Sequence, residues 1–190
     1  KPRASLWKIF SPKKDIWGSQ KKQPPKAKPA SAIKETAPEA LDNHNNPRKE
    51  NTAEIEGEGQ GRGNSGIYFQ KEYEIQILDS YENVTYSNGQ AASVYKQSIP
   101  LVNASRPPGE WQIYDIIFNE PVYNDQGYRL KKGTFTVFHN GVLVQNNVEI
   151  QGTTEHTGKP KLRNIKTPKK LYLQDHSNPV SFRNIWLRKL

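Results

Sequence analysis

The segment 63–79 constrains the fold of this chain more strongly than any other part of its 190-residue sequence. Apolar and polar side chains alternate along it, which is typical of extended strands whose side chains point to opposite faces in turn. One face carries Ile67, Phe69, Tyr73, Ile75 and Ile77. The other face carries Tyr68, Gln70, Glu74 and Gln76. With a short turn at residues 71–72, the segment is predicted to form a β-hairpin with one apolar and one polar face.

The polar face of this hairpin has an unusual composition for a strand that merely faces water. A solvated strand usually carries a mixture of Lys, Thr, Ser and Glu, whereas this face combines amides, a carboxylate and a phenol. Such groups offer paired donors and acceptors for hydroxyl groups. The pattern therefore indicates a surface that holds polyhydroxylated ligands.

The rest of the chain after residue 64 also predicts strands, and no segment shows sustained helical periodicity. Residues 111–123 alternate with apolar side chains on both faces, which favours a central strand and places Trp111 in the core. Residues 133–150 form a second hairpin around Asn140-Gly141, a pair that favours a type I′ turn. Two closing strands follow at residues 170–176 and 181–190, the second with Trp186 expected in the core. Many short strands separated by turns indicate an antiparallel sandwich.

The first 51 residues differ from the rest in composition and charge. They contain seven of the 14 prolines, and residues 1–50 carry 12 Lys/Arg against 5 Asp/Glu, while the remaining residues carry 16 against 14. We expect a largely irregular segment over 1–51, with a brief helix near residues 30–40 and a domain over 52–190. The apolar residues between 7 and 17 either dock as a short strand or lie loose.

Composition excludes several classes of protein. The chain has no cysteine, which rules out disulfides and thiolate metal sites. No apolar run approaches the roughly 20 residues that span a bilayer, so no transmembrane segment is expected.

The chain begins at Lys1 without a leader pattern, which suggests either a removed signal peptide or a fragment. A basic tail can bind nucleic acid, but a solvated linker is the preferred interpretation here because no aromatic residues interleave the charges, so no nucleic acid partner is expected.

Four blocks of sequence together resemble the 3-keto-disaccharide hydrolase family, also described as 3-keto-glucoside 1,2-lyase/3-keto-2-hydroxy-glucal hydratase domains. They read GQGRGNSGIYFQKEYEIQILDSY, LVNASRPPGEWQIYDIIFNEP, TVFHNGVLVQNNVEIQG and LYLQDHSNPVSFRNIWLRKL. The resemblance covers about residues 53–190. It does not extend to residues 1–51, where family members begin with strands reading roughly LFDGKSLDGW. A jelly roll that lacks these strands would expose sheet edges and part of its core.

The resemblance implies an all-β, concanavalin A-like jelly-roll sandwich of antiparallel strands. It also implies an exported protein, in the periplasm, at the cell surface or secreted, that acts on an oxidised disaccharide or glycoside. A ketone at C3 acidifies the hydrogen on C2, so a base forms an enolate and the C1 oxygen leaves by elimination. Water then adds, giving net hydrolysis. Such a site needs a base, an electrophile for the oxyanion and an acid for the leaving group.

Candidate residues follow from the strand faces and from this implied chemistry. The first choice for base or metal ligand is Glu74, and the candidates for proton transfer are Glu74, His139 and His176. The candidates for substrate binding are Arg62, Tyr68, Gln70, Gln76, Gln174 and Arg183. No cofactor is assigned, although Glu74 and Asp79 are suitable ligands for a divalent metal ion.

Three functions stay open from the sequence. The preferred one is an enzyme that cleaves 3-keto-glycosides, and the second is a lectin-like module that holds a glycan on the same face without turnover. They are distinguished by whether Glu74 and a histidine converge on one point, since a binding face needs no base. The third, a nucleic-acid binder, rests only on the basic residues 1–51.

Overall fold

The computed structural model describes the strand Ala4–Ile9, residues 57–164 and residues 170–189. Within these residues the secondary structure is ten strands and two short 3₁₀ turns, Gly59–Gly61 and Ser87–Gly89. The strands are β1 Ala4–Ile9, β2 Ser65–Phe69, β3 Tyr73–Ile77, β4 Tyr114–Asn119, β5 Val122–Tyr123, β6 Arg129–Lys131, β7 Thr134–His139, β8 Val142–Glu149, β9 Leu171–Leu173 and β10 Ile185–Lys189. None of the described segments is a helix of the length and apolarity that a bilayer span requires.

The strands form a larger and a smaller sheet, together with a two-stranded ribbon. The larger sheet has the order β10-β1-β4-β7-β8, the smaller sheet has the order β3-β2-β9, and β5 pairs with β6. Every strand pairing is antiparallel. The prediction of an all-β antiparallel sandwich is therefore confirmed.

The hairpin β2–β3 forms as predicted, but its turn begins one residue earlier. Gln70 and Lys71 both have positive φ, 57° and 63°, and the Glu72 amide donates to the Phe69 carbonyl over 3.1 Å. Positive φ at both central residues gives a turn whose twist matches the flanking strands, and Glu72 completes a three-residue loop before β3. Gln70 is thus a turn residue and does not extend the polar face of the strand.

The second predicted hairpin, β7–β8, is confirmed, whereas the predicted strand 111–123 is divided in two. Asn140 and Gly141 have φ values of 53° and 82°, as a type I′ turn requires. The strand 111–123 divides into β4 and β5 around Pro121, because proline has no amide hydrogen to donate to a ladder. As predicted, β4 is a central strand of its sheet.

The core lies between the two sheets and is rich in aromatic rings. Phe69 of the smaller sheet lies 5.0 Å from Phe118 and 5.1 Å from Phe135 of the larger sheet, measured between ring centroids. The apolar face of the β2–β3 hairpin also supplies Ile67, Tyr73 and Ile75 to this core. The packing therefore fixes which face of the hairpin points outward, and the outward face is the polar one.

The first and last strands lie side by side at one edge of the larger sheet. Strand β1 pairs with both β10 and β4, so of the two alternatives for the apolar residues near the start of the chain, residues 4–9 form the strand. The boundary predicted between residues 51 and 52, and the predicted helix near residues 30–40, lie outside the described residues. Trp186 is 66% exposed, contrary to the prediction, because β10 is an edge strand that contributes nothing to the described core.

Candidate active site

The polar face of the smaller sheet is centred on a tyrosine and a glutamate that lie directly opposite each other. Tyr68 of β2 pairs with Glu74 of β3, and the tyrosine hydroxyl donates to Oε2 of Glu74 over 2.7 Å. Glu74 is only 3% exposed, while Tyr68 is half-buried. Burying an ionised carboxylate to this extent costs free energy unless the group is paired with a partner or its pKa shifts.

Burial shifts the proton affinity of both groups in the same direction. It raises the pKa of Glu74 from 4.5 to about 7, and the hydrogen bond from Tyr68 offsets only part of this. Burial, together with the charge of Glu74, also raises the pKa of the Tyr68 phenol well above its usual range. At neutral pH the pair therefore consists of a phenol that stays protonated and a carboxyl group that can either take up or release a proton.

A glycine provides the space that the Glu74 carboxylate occupies. Gly66 of β2 lies beside Glu74, and a Cβ built at this position would collide with Oε1 and lie 3.0 Å from both Cδ of Glu74 and Cε2 of Tyr68. Within the described residues, Oε1 accepts no hydrogen bond, in contrast to Oε2. The geometry therefore holds one carboxylate oxygen through Tyr68 and leaves the other available over Gly66.

The outer edge of β3 is fixed by two loops. The Glu74 amide donates to Oγ1 of Thr154 over 3.0 Å, and the Tyr95 amide donates to the Glu74 carbonyl over 3.2 Å. Val94 adds a bridge to Ile75 on the same edge. These contacts hold the backbone that carries the carboxylate, although β3 is the last strand of its sheet.

Aromatic side chains border the site on two sides. Tyr172 of β9 is 46% exposed and meets Tyr68 edge to face at 6.1 Å. On the other side, the hydroxyls of Tyr86 and Tyr95 lie 2.8 Å apart, with the Lys96 ammonium 5.5 Å and 5.6 Å from their ring centres. Tyrosine rings combine an apolar face with a polar hydroxyl, which suits them to the apolar faces and hydroxyl groups of sugars.

His139, a candidate for proton transfer, does not join this site. It is 1% exposed on the core-facing side of β7 and stacks on Tyr114 at 4.5 Å between ring centroids. The Tyr114 hydroxyl in turn reaches the Gln76 carbonyl of the smaller sheet, at 3.5 Å. His139 thus lies in the space between the sheets, whereas the Glu74 side chain lies on the opposite side of the smaller sheet.

The position of His139 has a consequence for stability at acid pH. Burial, reinforced by the charge of Arg106, lowers its pKa from 6.5 to about 4. The folded state therefore favours the neutral ring. The contribution of this ring to the free energy of unfolding is fully present above pH 6.5 and is lost as the pH falls toward 4. We expect wild-type protein to lose about 3 kcal/mol relative to a His139→Phe variant over this range. Urea unfolding of both proteins at several pH values measures the difference.

Three further candidates lie away from Glu74. His176 is exposed beyond the end of β9, Gln70 donates from its turn to Oε2 of Glu120 over 2.9 Å, and the Arg183 guanidinium stacks 3.7 Å from the centre of the Trp111 ring. Gln174 is closer to Glu74, since the backbone amide of Gln174 donates to the Gly66 carbonyl over 2.9 Å. The structure thus brings together Tyr68, Glu74 and Gln76 of the predicted set, with Gln174 alongside.

The remaining candidates, Arg62 and Asp79, bind each other. Nε of Arg62 lies 2.8 Å from Oδ2 of Asp79, Nη2 donates to Oδ1 over 3.1 Å, and Oδ1 also accepts from the Tyr81 amide. Within the described residues, no three His, Asp or Glu side chains gather as they would around a metal ion. The residues present therefore do not fit the metal site suggested by Glu74 and Asp79, and no step below uses one.

A cavity of about 70 Å³ lies elsewhere, at the open end of the β2–β3 hairpin. Asp79, Arg106, Trp111 and Tyr114 are among the residues that line it, and Glu74 is not. We place the candidate site at Glu74 because a buried carboxylate with an available oxygen offers chemistry that this cavity lacks.

Comparisons with known proteins give a family and a similar solved structure. A search of the curated proteins finds no match. Among solved structures, the chain is similar to the crystal structure of a "putative glycosyl hydrolase" from Parabacteroides distasonis, with 51% sequence identity and a TM-score of 0.66. The match covers 70% of this chain and 58% of that one, so this chain spans less than two thirds of the length of that protein. The model of a 3-keto-alpha-glucoside-1,2-lyase-like domain matches residues 47–188, and the chain thus belongs to this family.

Proposed function

We propose that this protein is a carbohydrate-active enzyme that cleaves 3-keto-glucosides by elimination followed by hydration, with Glu74 as the base. Membership of the family supports the substrate class. The observation that carries the chemistry is the buried Glu74 carboxylate, whose pKa is about 7 and whose Oε1 is available. A general base is most effective when its pKa lies near the working pH.

The first step is removal of the hydrogen on C2. Glu74 takes this proton on Oε1, while the bond from Tyr68 to Oε2 holds the carboxylate in place. The electron pair of the C–H bond moves toward the C3 carbonyl, whose oxygen gains negative charge. The Tyr86 and Tyr95 hydroxyls share a single hydrogen bond, so one hydroxyl hydrogen remains to donate to that oxygen.

The second step breaks the C1–oxygen bond and forms the C1=C2 double bond. The departing oxygen takes a proton from the protonated Glu74, which restores the carboxylate. Glu74 can then remove a proton from water as the oxygen of the water adds to C1 and the electron pair of the C1=C2 bond moves to the C3 carbonyl. Glu74 returns this proton, which came from water, to C2, and the C3 carbonyl re-forms. The sum is hydrolysis, although the route differs from that of glycosidases that place two carboxylates across the anomeric carbon.

A non-catalytic binding module is the alternative, and one observation favours it. Within the described residues no histidine meets Glu74, and the convergence of the two is the feature that distinguishes an enzyme from a binding face. A binding face has no need, however, for a buried ionisable carboxylate, which costs stability that a neutral amide in its place would not. The Tyr68–Glu74 pair provides the base without a histidine.

The pH dependence of the reaction tests the role of Glu74. Because only ionised Glu74 accepts a proton, kcat/KM for a nitrophenyl 3-keto-glucoside should rise with pH and level off above an inflection near pH 7. Release of nitrophenol from this substrate and from the unoxidised glucoside provides the measurement. Equal release from both substrates, or a rate that is flat between pH 5 and pH 8, would contradict the proposal.

A further inference from the structure

We infer that Gln76 is a specificity residue whose side-chain oxygen accepts a hydrogen bond from one hydroxyl group of the substrate. A group that can only accept hydrogen bonds is therefore disfavoured at that place. The inference rests on the proposed function only for the identity of the sugar. Gln76 follows Glu74 by two positions on the same face of β3 and is 1% exposed. Its Oε1 is buried and has no hydrogen-bond partner among the described residues.

The two neighbours of the Gln76 amide are held by bonds to backbone carbonyls. Nε2 of Gln60 donates to the Gly89 carbonyl over 3.0 Å and to Oγ1 of Thr85 over 3.1 Å. Nδ2 of Asn64 donates to the carbonyl of residue 60 over 2.7 Å. A carbonyl can only accept, so these bonds fix which end of each amide is nitrogen.

This anchoring determines the orientation of the Gln76 amide as well. With their nitrogens committed to carbonyls, Gln60 presents Oε1 and Asn64 presents Oδ1 toward Gln76. Nε2 of Gln76 donates to both, over 3.3 Å and 3.2 Å. A flipped Gln76 would set three oxygens against one another, and its oxygen therefore points away from this cluster.

The side chain of Gln76 lies on the same face of the sheet as the reacting group. Gln76 lies directly opposite Gly66 in the ladder, and the carboxylate of Glu74 occupies the space above that glycine. A sugar whose C2 meets Glu74 can therefore place another hydroxyl at Gln76. With both amide hydrogens already used, the site accepts a hydroxyl donor and rejects a carbonyl or ether oxygen at the same place.

Binding measurements can test this inference separately from catalysis. In a Glu74→Gln background, which slows turnover about 10³-fold, calorimetric titration would compare methyl 3-keto-glucoside with its 4-deoxy and 6-deoxy analogues. We expect one analogue to bind about tenfold more weakly than the parent sugar, as one lost hydrogen bond implies. Adding Gln76→Met should weaken the parent sugar by the same factor and leave that analogue unchanged.

Two further variants keep the result interpretable. Gln60→Leu frees the Gln76 amide to flip and should also reduce the discrimination, even if Gln76→Met fails to fold. Gln145→Leu removes another buried strand glutamine, whose oxygen is already bonded to Ser98, and should leave the discrimination intact.

Equal weakening of all three sugars by Gln76→Met, unaltered discrimination, or no binding of any of them would overturn the inference. If the expected binding pattern appears but the protein with Glu74 intact releases no aglycone, the proposed function fails while the role of Gln76 stands.

Discussion

Replacing Glu74 by glutamine is expected to lower kcat/KM for a 3-keto-glucoside by about 10³-fold, within the usual range for loss of a general base. The amide keeps the size of the side chain and can still accept the hydrogen bond from Tyr68, but it cannot take up the proton from C2. Aglycone release by the purified variant and by wild-type protein provides the measurement. A variant that retains a tenth of the wild-type activity would show that Glu74 is not the base.

The same substitution should increase stability, which separates a lost base from a lost fold. The pKa of Glu74 is raised from 4.5 in the unfolded chain to about 7 in the folded one. The contribution of the neutral carboxyl group to the free energy of unfolding is therefore fully present below pH 4.5 and is lost as the pH rises through 7. Glutamine has no charge to bury. We expect Glu74→Gln to match the wild type at pH 4 and to exceed it by about 3 kcal/mol at pH 8. Equal stability at pH 8 would contradict the shifted pKa.

The second large effect is expected from Gly66→Ala. A methyl group at this position would collide with Oε1 of Glu74, and a carboxylate at the end of a flexible side chain can move away more easily than a strand backbone can. We expect the carboxylate to rotate off its position above residue 66 and kcat/KM to fall by about 10²-fold, since a displacement of about 1 Å at a catalytic group has an effect of this size. The unfolding midpoint should change little.

Gly61→Ala is the matched control for this variant. Gly61 lies five residues before Gly66, and a Cβ built there meets nothing within 4 Å. We expect Gly61→Ala to retain full activity in the same assay. Equal activity of the two variants would show that Gly66 does not hold the carboxylate in place, and a fold lost only in Gly66→Ala would assign the glycine to packing.

The effects of Glu74 and His139 on stability have opposite signs in overlapping pH ranges. Between about pH 4.5 and pH 6.5, acidification favours the folded state through Glu74 and disfavours it through His139. A flat stability profile for the wild-type protein would therefore hide both contributions. Only the difference between each variant and the wild type reports the pKa of the residue in question.

The sequence predicts the sandwich and the polar face because these depend on local patterns. Alternation along residues 63–79 separates core from outer face, and Asn140-Gly141 specifies its own turn. The turn at Gln70–Lys71 is harder to predict because neither residue is a usual choice for positive φ. The edge position of Trp186 is harder still, because it depends on how many strands each sheet contains, which no local pattern records.

The site could be predicted only in part, for a related reason. Glu74, Tyr68 and Gln76 share one hairpin, so their proximity follows from the strand period alone. The positions of His139 and His176 relative to Glu74 depend on how distant strands pack, which the chemical type of a residue does not predict. Tyr95, Thr154 and Gln60 reach the site from loops, and Gly66 is one of five glycines in residues 57–66, with nothing in the sequence to show which one accommodates a carboxylate.

The fate of the hydrogen on C2 tests the central claim most directly. Wild-type protein would act on a 3-keto-glucoside in D₂O, and mass spectrometry and NMR would locate deuterium in the released sugar, with an enzyme-free sample correcting for spontaneous exchange of the 3-keto sugar. Elimination followed by hydration requires one deuterium at C2 of the product, and we expect incorporation to keep pace with aglycone release. Aglycone release with hydrogen retained at C2 would mean direct displacement at C1 and would contradict the role assigned to Glu74.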